Sequence, residues 1–178
     1  MRSYKNLLTL YSSEVLMGMG FVERTKQAEA DTERTRLDLE NRYSRWQHAA
    51  FTLNQTLDRY IFDNTELRSR LNVREEVRHV TDPFLKTRKQ LDRLVIIQKT
   101  TDRTITLEAL PLSPPIFGAS GRVDIAAPHL VLQEFYIVWD GGGELPNNWT
   151  VKSQDKKFNE RLSERSFDEF LGRVFPAS

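Results

Sequence analysis

The chain has 178 residues, of which 39% are hydrophobic and 29% charged, and its formal net charge is +1. Low apolar content with balanced charge favours long solvated helices beside a small packed domain, and it provides no global field that would attract nucleic acid or an acidic membrane. The chain contains no cysteine, which excludes disulfides, thiolate metal sites and cysteine nucleophiles.

Residues 3–22 predict a first helix, because apolar side chains recur along them at steps of three and four. We expect its apolar face to pack on a second helix or a partner. A helix lying at a membrane surface is disfavoured, because Arg2 and Lys5 are the only basic residues beside it. No run of residues has the length and apolar content of a membrane span. We therefore expect a cytoplasmic protein without membrane contact.

Residues 23–38 predict a solvated helix with little apolar content. Opposite charges recur at spacings of three or four, which stabilises an exposed helix by about 0.2 to 0.5 kcal/mol for each pair. The residues concerned are Asp31, Arg34, Arg36, Asp38, Glu40 and Arg42. Because no proline precedes Pro83, we expect one helix from Val22 to Arg78.

The strongest pattern is an apolar seam whose positions alternate at steps of four and three. The seam comprises Leu39, Tyr43, Trp46, Ala50, Leu53, Leu57, Tyr60, Asn64, Leu67 and Leu71. This spacing is typical of a coiled coil, and one helix cannot bury such a seam alone. Its bulky aromatic residues favour more than one neighbour. Asn64 either fixes the register of the pairing or faces water where the helix leaves its partner.

Thr81, Asp82 and Pro83 indicate that one helix stops and another begins. A second helix is therefore expected over residues 83–100. Folded back as a hairpin it would cover the seam, and another protomer is the open alternative. The residues 94–97 are β-branched enough to form a strand instead, and periodicity does not decide between the two over so short a run.

Beyond Thr101, alternating patterns and turn residues predict a small α+β domain. Strands are expected over residues 104–107, 122–126, 129–139 and 149–151, with the third central and the fourth at an edge. Ser166 and Glu169 form a capping-box pattern that opens a final helix over residues 167–175. The predicted fold class is α+β, with residues 1–100 as a coiled-coil or helical-hairpin arm and residues 101–178 as the small domain.

The residue types that carry chemistry do not form a recognisable motif. The three histidines, His48, His79 and His129, lack the spacing of metal ligands. Asp124, Glu134 and Asp140 lie around the strongest predicted strand, but the position two residues after Glu134, where a metal-dependent nuclease has a lysine, is Tyr136. The residues Gly141 to Gly143 lack the rest of a phosphate-binding loop. We expect no enzyme activity, no metal and no cofactor.

We interpret the chain as a non-catalytic protein-interaction or oligomerisation subunit of a larger cytoplasmic assembly, which binds a protein partner or a second copy of itself. The predicted interface residues are Leu39, Tyr43, Trp46, Leu53, Leu57, Tyr60, Asn64, Leu67 and Leu71. The alternative is a nucleic-acid-binding accessory factor, because residues 66–103 contain ten basic and six acidic residues. Its predicted phosphate contacts are Arg70, Arg74, Arg78, Lys86, Lys89 and Arg93, in rows along the two helices.

Overall fold

The structure is a computed structural model, and the residues it describes are 20–82, 85–112, 120–130, 135–141 and 148–175. The chain divides into two compact units, Met1–Asn41 and Arg42–Ser178. The long helix α1 (Phe21–Asp63) belongs to both units, and a short helix α2 (Thr65–Arg70) follows it. The final described helix is α3 (Glu164–Val174).

The described part of the second unit also contains nine strands. They are β1 (Leu71–Glu76), β2 (His79–Thr81), β3 (Arg88–Gln90), β4 (Arg93–Gln98), β5 (Thr104–Ala109), β6 (Gly121–Ala126), β7 (Phe135–Trp139), β8 (Trp149–Ser153) and β9 (Asn159–Arg161). Seven of them form one antiparallel sheet in the order β1-β4-β5-β6-β7-β8-β9, and β2 pairs with β3 in a small separate sheet.

One face of the large sheet carries the hydrophobic core. Residues alternate between buried and partly exposed along β5, β6 and β8, as expected for strands with one packed face. The buried positions stand opposite each other across the strands; for example, Ile125 pairs with both Leu107 and Phe135. The core is completed by buried side chains from α1 and α3, including Leu53 and Phe170.

Polar side chains set the helix boundaries. The side-chain oxygen of Asn64 accepts hydrogen bonds from the backbone N–H groups of Glu66 and Leu67, at 3.0 and 3.1 Å. Asn64 has an extended backbone, so it separates α1 from α2 and caps the second of them. At α3, the side chains of Ser163 and Ser166 each accept a hydrogen bond from the other's backbone N–H group, which forms a reciprocal cap.

The predicted helix from Val22 to Arg78 is wrong at its end, because residues 71–76 form β1 instead. The extended backbone of Asn64 interrupts the helix, and that of Leu71 ends the short continuation. From there each residue of β1 pairs in register with a residue of β4, from Leu71 with Gln98 to Glu76 with Arg93. Long-range pairing therefore overrides the helical spacing of the sequence.

The predicted second helix over residues 83–100 is also wrong, and the strand alternative for residues 94–97 is confirmed. These residues lie in β4, between β1 and β5, where Leu94, Val95 and Ile96 are buried. Because β4 pairs with β5 on the other side of Thr101, the predicted division at that residue falls in the turn between two paired strands. Of the predicted helical arm, the described residues 21–63 and 65–70 are helical.

The sequence patterns beyond Thr101 predict the strands well. The expected strands at residues 104–107, 122–126 and 149–151 are confirmed as β5, β6 and β8. β8 is not an edge strand, since β9 pairs with its outer side. The strand expected at 129–139 begins at Phe135, while residues 131–134 lie outside the described residues. The final helix is confirmed, although its cap is Ser163. The first helix predicted at residues 3–22 lies mostly outside the described residues.

We expect Gly121→Ala to destabilise the second unit. A β-carbon at this position would overlap ring atoms Cε3 and Cζ3 of Trp46, and overpacking a core typically costs about 1 to 3 kcal/mol. Gly172→Ala is the matched control, because Gly172 lies in α3 with open space around it, and replacing a helical glycine by alanine gains about 0.5 to 1 kcal/mol. Urea unfolding followed by tryptophan fluorescence measures both changes, and equal stability of the two variants would contradict this packing.

Candidate interaction surface

Most of the predicted seam packs inside the second unit. Tyr43, Trp46, Leu53, Leu57 and Leu71 are buried in the core. Tyr60 and Leu67 are partly buried and pack against that core, Leu39 is half-buried, and Asn64 is an exposed helix cap. The seam is therefore covered within the chain by the sheet and α3, whereas the sequence predicts a second helix or another protomer as its partner.

Trp46 shows why bulky residues suit this position. Its ring lies 5.8 Å, between centroids, from the rings of both Trp139 and Trp149, which belong to β7 and β8. Its indole N–H donates to the carbonyl oxygen of Leu110 at 2.9 Å, so the buried donor is satisfied. Trp46 has no exposed surface. A residue this deeply buried does not form part of an external interface.

Tyr43 is a buried ionisable group in the same seam. Burial raises the pKa of Tyr43 to about 12, and the negative charge of Asp82 adds to the shift. The ammonium group of Lys89 lies 5.4 Å from the centre of the Tyr43 ring. Burial also raises the pKa of Tyr60, with a further contribution from Glu164. Both tyrosines therefore stay neutral in the folded chain at pH values where an exposed tyrosine ionises.

The continuously exposed part of α1 lies in the first unit, before the buried part of the seam. In α1, every residue from Phe21 to Asp38 is exposed. Phe21, Val22 and Leu37 expose 78%, 62% and 48% of their surface. We call residues 21–38 the exposed segment of α1. The charges of this segment predict only a solvated helix, and the regular spacing of its uncharged residues is the signal that one face could be covered.

The exposed segment is stabilised by polar contacts along its own helix. The guanidinium group of Arg36 contacts the carboxylates of Glu33 and Glu40, at 2.7 and 2.9 Å. The hydrogen bond from Arg36 lowers the pKa of Glu33, and these contacts raise the pKa of Arg36. The predicted pair of Arg36 with Glu40 is thereby confirmed. Such exposed pairs contribute little each, but they support a helix that has few apolar contacts.

The basic residues of the nucleic-acid hypothesis lie on strands and loops as well as on α2, so they do not form helical rows. Four of the six contact carboxylates: Arg70 with Glu66, Arg74 with Glu76, Arg78 with Glu108, and Arg93 with both Glu76 and Glu108. The hydrogen bonds that Arg93 donates to Glu76, and to a smaller extent to Glu108, raise the pKa of Arg93. Lys86 is exposed in a left-handed backbone conformation, and Lys89 lies near Tyr43. Much of the predicted positive charge is therefore neutralised locally.

A cleft of about 330 Å³ in the second unit lies between α2 and α3. Its walls include the charged residues Glu66, Arg70 and Asp168, and its described lining contains no histidine, serine or lysine. This lining therefore does not provide a serine with a neighbouring histidine. In the part of the chain that the structure describes, no group of three or more histidine, aspartate or glutamate side chains is placed to hold a metal ion.

The other candidate residues occupy structural positions. His79 lies in β2, His48 is exposed on α1, and His129 contacts the carbonyl oxygen of Val174 at 2.6 Å through Nε2. Asp124 pairs with Arg122, and Asp140 follows β7. Glu134, Gly142 and Gly143 lie outside the described residues.

Comparison with protein families, with curated proteins and with solved structures finds no match for this chain. Within the described residues, no helix combines the length and the apolar character needed to cross a membrane.

Tyr43→Phe tests the burial of the seam through the dependence of stability on pH. The unfolded tyrosine has a pKa of about 10, and the folded one has a pKa of about 12. As the pH rises, the unfolded state loses its proton first, so the free energy of unfolding of the wild-type chain falls above about pH 10. The variant has no proton to lose at this position, so its stability falls less.

Urea unfolding curves between about pH 9 and pH 12 measure the difference. Tyr60 remains in both proteins, so the comparison isolates Tyr43. Parallel falls in the two proteins would contradict the raised pKa of Tyr43.

Proposed function

We propose that this chain is a non-catalytic protein-interaction subunit of a larger cytoplasmic assembly, and that the exposed segment of α1 is its docking element. The observation that carries the proposal is the exposure of every residue from Phe21 to Asp38 within a helix whose later part is buried in a core. The sheet unit is the folded body, and the segment is the surface that a partner can cover.

The physical argument concerns the stability of an exposed helix. An isolated helix of this length is marginal in water, and helices in proteins are stabilised mainly by packing one face. The exposed segment is continuous with residues that are packed, so it needs no separate nucleation. Docking a partner would remove Phe21 and Val22 from water, and full burial of such side chains contributes about 1.5 to 3 kcal/mol each. This gain supports binding through the segment.

The buried seam residues play a different role in this proposal. Leu53 and Leu57 have no exposed surface and pack in the core. A charged substitution there would leave an unpaired charge in the core and destabilise the fold itself, so loss of an assembly would not identify an interface. Variants that test docking must lie in the exposed segment.

The double variant Phe21→Glu/Ala28→Glu tests the docking element. The wild-type chain, tagged and expressed in the cells it comes from, is expected in an assembly heavier than its own 20.8 kDa. Phe21 and Ala28 lie two helical turns apart on one side of the exposed segment. The double variant should shift to a lower mass, because a docked partner would bury both carboxylates without partners. Chemical cross-linking in the intact cells retains a weak assembly, and size-exclusion chromatography with light scattering of the cross-linked, purified complex then measures the masses.

Phe62→Glu is the matched control, since Phe62 lies on the same helix and is 62% exposed, but in the second unit. It should leave the assembly unchanged, and circular dichroism should show equal helix content in all three proteins. A wild-type chain that runs at its own mass, or a control that dissociates as fully as the double variant, would contradict the proposal.

The nucleic-acid hypothesis remains a prediction, and the ion pairs of Arg70, Arg74, Arg78 and Arg93 count against strong phosphate binding. Phosphate binding would require these arginines to exchange a carboxylate for a phosphate. A gel-shift titration with an oligonucleotide at two salt concentrations tests it. Binding that weakens steeply with salt would favour this hypothesis, whereas we expect little binding at either concentration.

A further inference from the structure

A stripe without charge runs along the exposed segment of α1 and ends at the half-buried Leu39 that follows it. Its positions alternate at steps of four and three, which is the spacing that faces a second helix in a two-helix pair. We call it the uncharged stripe, and its members are Phe21, Thr25, Ala28, Thr32, Thr35 and Leu39. Every charged residue between Phe21 and Leu39 lies off these positions. The stripe is therefore the face of the segment that a second helix could cover at least cost.

The threonine hydroxyls of the stripe already have partners within the helix. In Thr25, Thr32 and Thr35, the hydroxyl donates to the carbonyl oxygen four residues earlier, at 3.0, 2.7 and 2.8 Å. Burying a hydroxyl is costly mainly when it loses its hydrogen-bond partner. These hydroxyls keep their partners when the stripe is covered, so the threonine methyl groups can pack against a second helix without leaving an unsatisfied donor.

The charges beside the stripe suit a second copy in parallel. In a parallel pair, the residue before every second stripe position, that is before Thr25, Thr32 or Leu39, faces the residue five positions later on the other helix. Arg24 then lies opposite Glu29 of the second copy, and Asp31 lies opposite Arg36 of the second copy. Both pairings are attractive, and the two-fold symmetry of the dimer makes each of them twice.

An antiparallel second copy lacks this complementarity. An antiparallel pair that overlaps the whole stripe brings Arg24 near Asp38 of the second copy, which is attractive. It also brings Asp31 against Asp31 of the second copy, and Glu29 against Glu29 of the second copy. These like charges repel. Attraction and repulsion then offset each other. The charge pattern therefore discriminates between the two orientations.

We infer that the docking partner of the exposed segment is a second copy of this chain, paired in parallel and in register along the uncharged stripe. This inference rests on the proposed function, since it names the partner of the same segment. The stripe is short and only its ends, Phe21 and Leu39, carry large apolar groups, so the pairing is weak. Association should be visible between micromolar and submillimolar concentrations of the chain.

Single cysteines test the pairing directly, because the chain has no cysteine of its own. Thr25→Cys and Thr35→Cys should each form a disulfide-linked dimer under mild oxidation, since each residue meets itself in a parallel pair. Ala30→Cys is the matched control, because Ala30 lies on the same helix away from the stripe. It should cross-link at least about tenfold more slowly, because its α-carbon would lie well beyond the ~7 Å that a disulfide can span.

The same variants distinguish the orientation. Thr25 and Thr35 lie about 15 Å apart along the helix. In an antiparallel pair they would meet each other, so a mixture would give only the mixed dimer and neither variant would link to itself. That result, or equal cross-linking of Ala30→Cys, overturns the inference.

Charge exchange provides an independent readout in solution. Glu29→Arg should weaken dimerisation of the full chain by about tenfold, because an attractive pair becomes repulsive at both symmetry-related sites. Arg24→Glu combined with Glu29→Arg restores opposite charges and should return most of the affinity. Sedimentation equilibrium measures the dissociation constants, and a double variant that dimerises as weakly as Glu29→Arg alone overturns the inference.

The outcomes also separate this inference from the proposed function. If no variant cross-links but the native assembly still depends on Phe21 and Ala28, the segment docks a different protein and only the self-pairing is overturned. If the native chain runs at its own mass and no cross-link forms, both are overturned. If Thr25→Cys and Thr35→Cys cross-link and Ala30→Cys does not, the result supports both the self-pairing and the proposed function.

Discussion

The packing of Trp46 against the sheet is the contact on which the second unit depends. The ring stacks on Trp139 and lies beside Trp149, its N–H group reaches the carbonyl of Leu110, and the missing side chain of Gly121 makes room for it. A buried tryptophan removes about 150 to 250 Å² from water and tolerates few positions, because its donor must also be satisfied. This contact therefore fixes the packed part of α1 against three neighbouring strands.

That packing explains why one helix has two different parts. From Tyr43 onward, α1 presents apolar residues at every turn and buries them in the core. From Phe21 to Asp38 it presents charges on most sides and is exposed throughout. Extending a helix that is already nucleated is far easier than starting one, so the packed part can support the exposed one. The exposed part keeps its surface available for binding because folding of the core does not use it.

Local patterns predict the elements that local physics decides. The buried side of α1, the strands β5, β6 and β8, and the capped final helix follow from periodicity and capping residues. The structure of residues 71–98 does not follow from their local pattern, because both helix and strand fit it. The choice depends on pairing among β1, β4 and β5. The seam likewise shows that one face of α1 must be covered. Spacing alone does not state whether a helix or a sheet covers it.

Apolar spacing alone does not predict the candidate surface. The positions of the charged residues, rather than apolar content, define the uncharged stripe. A stripe of threonine and alanine contributes little transfer free energy, so the charges beside it must provide the specificity. Arg36 already contacts Glu33 and Glu40, yet a guanidinium group has five N–H donors in a planar fork. It can therefore contact Asp31 of a second copy while keeping at least one contact within its own helix. Pairing of this kind exchanges weak exposed contacts for weak shared ones, which produces an association that concentration and ionic strength can regulate.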